Sequence, residues 1–365
     1  MNFNAPKIIK VPSKNISDYT SEDFGGIRKE KTVCVVRYGA FGDMLMTSSI
    51  LPLLKKQGYR VCINTSERGK DLIKSDPHVD EIIFQKTDAV SNNMLTEYWK
   101  EMGKCFDNFI QLSESIEKSL LLMPQRWSKV NGNKVILGAS KHYNSSKEVV
   151  HKLCNKNYLE VTHDIARVPY EFNCKFYPYR SEVKWAKKQR KKIKTKNVIL
   201  WSLSGSSIHK VYPWTDEVIE KVLKERNDVS FVTVGDEACK ILESGWDKEK
   251  RIITQSGKWS IRETLSFLDQ CQIVVGPETG VLNAACLMDL HKCVMLSHSS
   301  EENMTKHWKN AKAFGPSEED CPCFPCHKMH FGFDNCNRDE ETGGAMCAVK
   351  TRPEEIIEDI LSNLI

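Results

Sequence analysis

The chain lacks the features that mark membrane-spanning and secreted proteins. No apolar run in its 365 residues approaches the roughly 18 residues that a membrane-spanning helix needs. The first residues, Met1 to Pro6, do not have the charged and then apolar build of a signal peptide. We therefore expect no transmembrane segment and a cytoplasmic site of action.

A large excess of charge of one sign is also missing. The formal net charge is +5, with 40% apolar and 28% charged residues. This composition is typical of a globular protein, and the length is enough for two domains. The small positive charge suits an anionic ligand but does not require a nucleic acid.

Cysteine, by contrast, is abundant, with 14 residues. Most lie singly in apolar runs and are interpreted as small core residues, because disulfides are not expected in the cytoplasm. Five cluster near the C-terminus. Cys323 and Cys326 have the C-x-x-C spacing of a metal clasp, and Cys336 and Cys347 can complete a tetrahedral thiolate site, with Cys321 as an alternative ligand. We predict a structural zinc or iron; chance clustering and disulfides are the alternatives.

Short apolar strands alternate with amphipathic helices over most of the chain, and the alternation restarts after a lysine-rich stretch. This pattern predicts the α/β class with two Rossmann-like parallel-sheet domains. The predicted organisation is an N-terminal arm (1–28), an acceptor-side domain (29–180), a basic linker (181–196), a nucleotide-sugar domain (197–315), a Cys-rich metal module (316–350) and a C-terminal helix (351–365).

A glycine turn follows the first buried strand. Gly39 and Gly42 permit a sharp turn, and Asp43 stands where a helix begins. Asp43 is either a functional carboxylate or a helix cap. The pair Ser113 and Glu114 follows another strand and has the same two interpretations. Because the carboxyl ends of parallel strands collect ligands, we expect all of these residues at one sheet edge.

A second strand, turn and helix pattern predicts an anion site in the second half. The amides of Thr279, Gly280 and Val281 begin a helix and are available to a phosphate. Further hydrogen-bond donors to the phosphates are expected from a loop of small residues with one cation. Carboxylates that could bind the ribose hydroxyls of the nucleotide are expected at the end of another strand. The residues are Ser204, Gly205, Ser206 and Lys210 for the loop, and Asp236 and Glu237 for the ribose.

The lysine-rich stretch lies within residues 184–196. It is either a nucleic-acid patch or a solvated helix that links the domains. Because Trp185 is the only aromatic residue there, base stacking has little support and the linker is the favoured interpretation.

Taken together, these motifs resemble the heptosyltransferases of glycosyltransferase family 9. The resemblance rests on residues 35–43 (VVRYGAFGD), residues 204–214 (SGSSIHKVYPW), residues 277–285 (PETGVLNAA) and the cysteine-rich tail. It implies a GT-B fold, in which two domains face a cleft and the last helix crosses back to brace the first domain.

The resemblance also implies an activity. It implies an inverting transfer from a nucleotide-diphosphate sugar, ADP-heptose or a similar donor, with Asp43 as general base. Lys210 would contact the donor diphosphate, Thr279 and Gly280 would bind phosphate, and no metal is required there. Members of this family that modify proteins hold iron in a similar tail.

Two departures from the family pattern leave the sugar open. Glu278 stands where Asp is common, and Asn283 stands where His is usual. The acceptor is also open, since a glycan, a protein side chain and a modified base in DNA are all compatible. The alternatives are a phage-type DNA-base glycosyltransferase and a non-catalytic binding protein, for sugar nucleotides or nucleic acid, that keeps the GT-B shell.

Overall fold

The structure is a computed structural model. It describes residues 5–12, 14–86, 89–113, 155–205, 207–327 and 336–365, and the backbone of 126–130 and 133–137. The chain divides into two compact units. The first comprises residues 1–150 and 156–177, and the second comprises residues 151–155 and 178–365. Within the described residues, no helix combines the length and apolar character needed to cross a membrane.

The first unit is built on a seven-stranded sheet of order β1-β4-β3-β2-β5-β6-β7. Its first five members in this order are parallel, and β6 and β7 form an antiparallel extension. The strands are β1 Lys7–Lys10, β2 Thr32–Val36, β3 Arg60–Thr65, β4 Glu81–Phe84, β5 Asn108–Gln111, β6 Arg126–Val130 and β7 Asn133–Leu137.

Helices follow the parallel strands, as expected for strands whose side chains are buried on both faces. Strand β2 is fully buried along its length. The helices are α1 Phe41–Ser48, α2 Leu51–Lys56, α3 Glu67–Ile73, α4 Leu95–Gly103 and α5 Tyr158–Ala166, with 3-10 turns at Ile16–Asp18, Ser21–Phe24 and Asn92–Met94.

The N-terminal segment, expected as an arm, takes part in this unit. Lys7–Lys10 pairs in parallel with β4, and Phe24 is buried against the ring of Tyr98. Two isoleucines between lysines make a strand too short to stand out in the sequence. Such a short, lysine-flanked strand suits a sheet edge, because it discourages pairing with other chains.

The second unit contains a six-stranded sheet of order β10-β9-β8-β11-β12-β13. All of its strand pairs are parallel. The strands are β8 Asn197–Ser202, β9 Val229–Val234, β10 Ile252–Thr254, β11 Ile273–Pro277, β12 His291–Met295 and β13 Ala311–Phe314. The prediction of an α/β fold with two parallel-sheet domains is confirmed.

The helices of the second unit surround a core that includes Trp201 and Phe231. They are α6 Arg180–Lys192, α7 Thr215–Glu225, α8 Ile261–Phe267, α9 Gly280–Ala285, α10 Glu301–Met304, α11 Met346–Val349 and α12 Pro353–Ser362, with 3-10 turns at Ile208–Lys210, Ala238–Ile241, Trp246–Lys248 and Leu268–Gln270.

The last helix, α12, packs within its own unit. Ile356 and Ile360 are fully buried in the core that contains Trp201, and Leu361 and Leu364 pack against that core. The buried face of this helix therefore covers the core of the second unit. Its amphipathic pattern was read correctly, but periodicity does not specify which apolar surface a helix covers.

Candidate active site

The first glycine turn lies at the point where the strand order of the first sheet reverses. Strand β2 lies between β3 and β5, and ligands of open α/β sheets bind at the carboxyl ends of strands at such a point. The Tyr38 N–H donates to Ser113 Oγ over 2.6 Å, so the segments that follow β2 and β5 meet as predicted. Glu114 lies outside the described residues.

Asp43 is the third residue of α1 and is only 7% exposed. Its Oδ2 accepts a hydrogen bond of 2.6 Å from the Ala40 N–H, so Asp43 does cap its helix. Gly39 has a φ of 122°, and a Cβ at this position would collide with the Asp43 carboxylate. The turn therefore requires glycine at position 39, while Gly42 is buried in the first turn of the helix.

Two residues that sequence reasoning did not assign hold the other carboxylate oxygen. Asp43 Oδ1 lies 2.7 Å from Arg37 Nη2 and accepts a hydrogen bond of 2.9 Å from the Tyr158 hydroxyl. Arg37 is 2% exposed and also donates to Leu112 O over 2.6 Å. Arg37 precedes the glycine turn in the quoted motif, whereas no local signal marks Tyr158.

These contacts stabilise a negative charge and fix its orientation. The Arg37 guanidinium compensates the buried carboxylate, because an unpaired buried charge is costly. Donors on both oxygens restrict rotation of the side chain. A buried carboxylate with a fixed orientation, at the sheet edge where open α/β folds bind ligands, is a candidate general base.

The second unit brings its predicted donor-binding loops together at the equivalent point. Strand β8 lies between β9 and β11. A Cβ on Gly205 would lie 2.8 Å from Lys210 Cδ and 3.3 Å from Thr279 Cγ2. Ser202 Oγ and Thr279 Oγ1 are 3.2 Å apart. Ser204 begins the loop and is partly exposed, while Ser206 lies outside the described residues.

Glu278 is a buried residue whose hydrogen bonds hold the segments at this sheet edge in place. It is 4% exposed, and its carboxylate accepts hydrogen bonds from the Ser297 N–H, the Ser297 hydroxyl and the Ser299 hydroxyl over 2.6 to 2.8 Å. Lys210 Nζ lies 3.9 Å from Glu278 Oε2 and donates to the Glu278 carbonyl over 2.8 Å. Burial pushes the pKa of Glu278 upwards, but Lys210, His298 and Ser297 hold it well below its usual range.

Helix α9 carries the remaining phosphate-site candidates. Thr279 is its N-cap, with Oγ1 accepting from the Leu282 N–H, and Gly280 and Val281 form its first turn. Asn283 is 9% exposed, and its Oδ1 has no hydrogen-bond partner among the described residues. A buried acceptor without a hydrogen bond destabilises the folded state unless a ligand or a water molecule donates a hydrogen bond to it.

The two acidic ribose candidates lie beyond the end of β9 and are exposed. Asp236 Oδ1 accepts from the Cys239 N–H over 3.2 Å, and Glu237 forms a surface ion pair with Lys240. Since β9 is parallel to β8, they occupy the same sheet edge as the loop after β8.

The tail cysteines converge in a small cluster. Cys321, Cys336 and Cys347 pack in one group with Ala345 and Ala348. Cys321 Sγ lies 3.6 Å from Cys323 Sγ, close to the separation of about 3.8 Å between two thiolates on one tetrahedral metal. No disulfide joins the described cysteines, and burial raises the pKa of Cys347 to about 12. Thiolates are suitable metal ligands, but among the described residues the tail cysteines do not come together as a group of three or more ligand atoms, so the four-cysteine site stays a prediction.

A second group of metal-binding side chains was not foreseen. The ligand atoms of His291, Cys293 and Asp359 lie within 4.8 Å of one another. Asp359 Oδ2 is 2.6 Å from His291 Nε2 and 3.1 Å from Cys293 Sγ. Burial raises the pKa of the Cys293 thiol well above its usual range, so the thiol donates to the carboxylate. In this arrangement the three side chains tie α12 to β12.

Comparison with known proteins finds no matching family model and no matching curated protein. Solved structures do match. ADP-heptose lipopolysaccharide heptosyltransferase II of E. coli superposes with a TM-score of 0.60 at 14% identity, over 91% of this chain and 98% of that one.

Two further structures are similar at the same level. A family 9 glycosyltransferase of Veillonella parvula gives a TM-score of 0.61 at 11% identity, over 91% of this chain and 96% of that one. The iron-containing dodecameric glycosyltransferase TibC of enterotoxigenic E. coli gives 0.55 at 12% identity, over 92% of this chain and 76% of that one. The resemblance predicted from the motifs is thus confirmed in three dimensions: the chain has the fold of the heptosyltransferases of glycosyltransferase family 9.

Proposed function

We propose that the protein is an inverting glycosyltransferase that uses a nucleotide-diphosphate sugar, with Asp43 as general base. The observation that carries the proposal is the environment of Asp43. Its buried carboxylate forms an ion pair with Arg37 and accepts hydrogen bonds from Tyr158 and the Ala40 amide. The fold supports it, because the similar structures are glycosyltransferases.

The proposed reaction balances without another reagent. Asp43 takes the proton of an acceptor hydroxyl while the oxygen forms a bond to the anomeric carbon. The bond from that carbon to the diphosphate oxygen breaks, and the nucleoside diphosphate leaves with the electron pair. Lys210 and the amides of Thr279, Gly280 and Val281 would stabilise the charge that develops on it.

The donor sugar is a narrower proposal. Similar structures contain ADP or ADP-heptose, which makes an adenine-nucleotide donor the first to test. Asn283 and Glu278 differ from the family pattern, so other sugars belong in the same panel. The acceptor, whether glycan, protein or modified DNA, is left to the experiment.

The decisive experiment measures transfer and donor hydrolysis over a panel of sugar nucleotides, with the wild type and Asp43→Asn. Loss of the base should lower kcat by about a thousandfold or more, while donor affinity changes by less than about threefold because the donor groups lie on other elements. Glu171→Gln, an exposed acid of the same unit, is the matched control and should keep full activity.

Two results would contradict this assignment. Turnover retained in Asp43→Asn would remove Asp43 as the base. Donor binding by the wild type with neither hydrolysis nor transfer to any acceptor would favour a non-catalytic sugar-nucleotide binding protein.

We also propose that the tail holds one structural zinc or iron. Cys323, Cys326, Cys336 and Cys347 are the proposed ligands, with Cys321 as a substitute because of its short distance to Cys323. When bound, the metal would crosslink a segment that has little hydrophobic core of its own. It has no part in the proposed transfer step.

A further inference from the structure

Helix α6 carries a straight ridge of positive charge. Arg180, Lys184, Lys187 and Lys191 are separated by three or four residues and are all exposed. At 3.6 residues per turn these side chains share one side of the helix, over a length of about 16 Å. We name these four residues the basic ridge.

The other side of α6 is fixed to the second unit. Ala186 is fully buried, and Glu182 pairs with the buried Arg262 over 2.6 Å. The ring of Trp185 packs edge-on against Trp259 at 4.9 Å. Because the helix is anchored by this face, the basic ridge points towards solvent.

The charges of the basic ridge are not neutralised by the protein. Among the described residues, none of its four cations forms an ion pair or a side-chain hydrogen bond. Many other exposed lysines of the chain do pair, as Lys221 does with Glu225. Arg190 lies on the same helix but is not part of the ridge, since its guanidinium caps the carbonyls that follow the helix.

Four unpaired cations in a row repel one another, and an anionic surface relieves that repulsion. Lys188, Lys192, Lys194 and Lys196 lie beside or beyond the ridge and are also exposed, which widens the positive region. The region therefore attracts a polyanion at low ionic strength.

We propose that the basic ridge docks the protein on a membrane surface that contains anionic lipid. A single straight line of cations contacts a plane with all its members at once. Three of the four are lysines, which act as point charges and suit headgroups without fixed geometry. Each cation at such a surface favours binding by about fivefold.

The composition of the ridge argues against nucleic acid. The ridge contains no Asn or Gln, the side chains that pair with adenine edges, and only one arginine, the side chain with a fixed two-donor geometry for guanine. Single-stranded nucleic acid needs exposed aromatic side chains for stacking, but Trp185 is packed against Trp259.

The test is sedimentation of the full chain with vesicles of phosphatidylcholine, alone or with about 30 mol% phosphatidylglycerol, at about 50 and about 300 mM salt. The wild type should bind only the anionic vesicles and should dissociate at the higher salt. Substitution of Lys184, Lys187 and Lys191 by Ala preserves helix propensity and should lower binding by roughly a hundredfold.

The matched control replaces Lys248, Lys250 and Lys258 by Ala. These exposed lysines lie elsewhere in the second unit, and the change in net charge is the same, so binding should stay within about threefold of the wild type. The proposal is overturned if the wild type does not bind anionic vesicles at low salt, or if both triple variants lose binding equally. Binding of a DNA duplex through the ridge lysines without vesicle binding would also overturn it.

Discussion

Asp43 combines two interpretations that the sequence presents as alternatives. Its Oδ2 caps α1 through the Ala40 amide, while its Oδ1 is held by Arg37 and Tyr158. A cap therefore does not exclude a catalytic role, because a carboxylate has acceptor positions on both oxygens. The cap orients the group that we propose as the base.

Glu278 is the residue whose charge contributes most clearly to stability. Replacing it by Gln leaves Lys210 without its buried counter-charge and removes one of the two oxygens that accept hydrogen bonds from Ser297 and Ser299. We expect the free energy of unfolding at pH 7 to fall by about 2 to 4 kcal/mol, measured by urea denaturation. Glu358→Gln, at an exposed position, should change it by less than about 0.5 kcal/mol.

The lowered pKa of Glu278 also predicts that the effect of this substitution on the free energy of unfolding depends on pH. The pKa of Glu278 is lower in the folded protein than its usual 4.5, so the unfolded chain takes up this proton first as the pH falls. The stabilisation from Glu278 is complete above pH 4.5 and is lost progressively below it. The difference between wild type and Glu278→Gln should therefore shrink as the pH is lowered below 4.5, and a constant difference would contradict the assignment.

At the scale of elements, α12 shows what a correct local pattern leaves undecided. Its buried residues Ile356 and Ile360 complete the core of the second unit, and Asp359 binds His291 and Cys293 on β12. The helix is thus part of the unit that carries the proposed donor site.

The substitution Ile360→Ala tests how much the packing of α12 contributes to the stability of the second unit. The side chain is fully buried, and its truncation should lower the free energy of unfolding of the second unit by about 2 to 4 kcal/mol. Urea denaturation, followed by the fluorescence of tryptophans such as Trp201 in the same core, reports the change. Glu355→Ala on the exposed face is the control, and an equal effect of both variants would contradict the packing of α12.

Three strands of the first sheet were not recognised in the sequence, for two different reasons. Strand β1 has only four residues, so its apolar pattern was too short to recognise. Strands β6 and β7 are joined in the sequence by Asn131 and Gly132, a pair typical of a hairpin turn. This signal was available and would have identified the antiparallel extension.

For the whole molecule, we expect the purified chain to contain about one equivalent of zinc or iron. Its removal by a chelator should lower the Tm by about 5 to 10 °C, because the metal binds the folded state only. Metal analysis and a thermal scan measure the two effects. Less than about half an equivalent in the purified protein would contradict the structural metal site.

Two variants identify which cluster holds the metal. Cys347→Ser should lose the metal, whereas Cys293→Ser should retain it, because we assign Cys293 to the hydrogen-bonded group with His291 and Asp359. The opposite result would move the site to that group.

The sequence by itself determined the class of the fold and the positions of its ligand-binding turns. Strand and helix periodicity, the glycine turns at Gly39 and Gly276, and the order of the motifs are local properties that a chain shows before it folds. Parallel strands then require their carboxyl ends to meet at one edge, so Asp43 with Ser113, and Gly205 with Thr279, were predictable as neighbours.

The tertiary structure alone decided which side chains support these residues. Tyr158 reaches Asp43 across 115 positions of sequence, and Ser297 and Ser299 reach Glu278 from the end of another strand. The apolar face of α12 likewise covers its own unit. Such contacts depend on the packing of elements that are distant in the chain, and local periodicity and turn chemistry contain no information about the partner that each element meets.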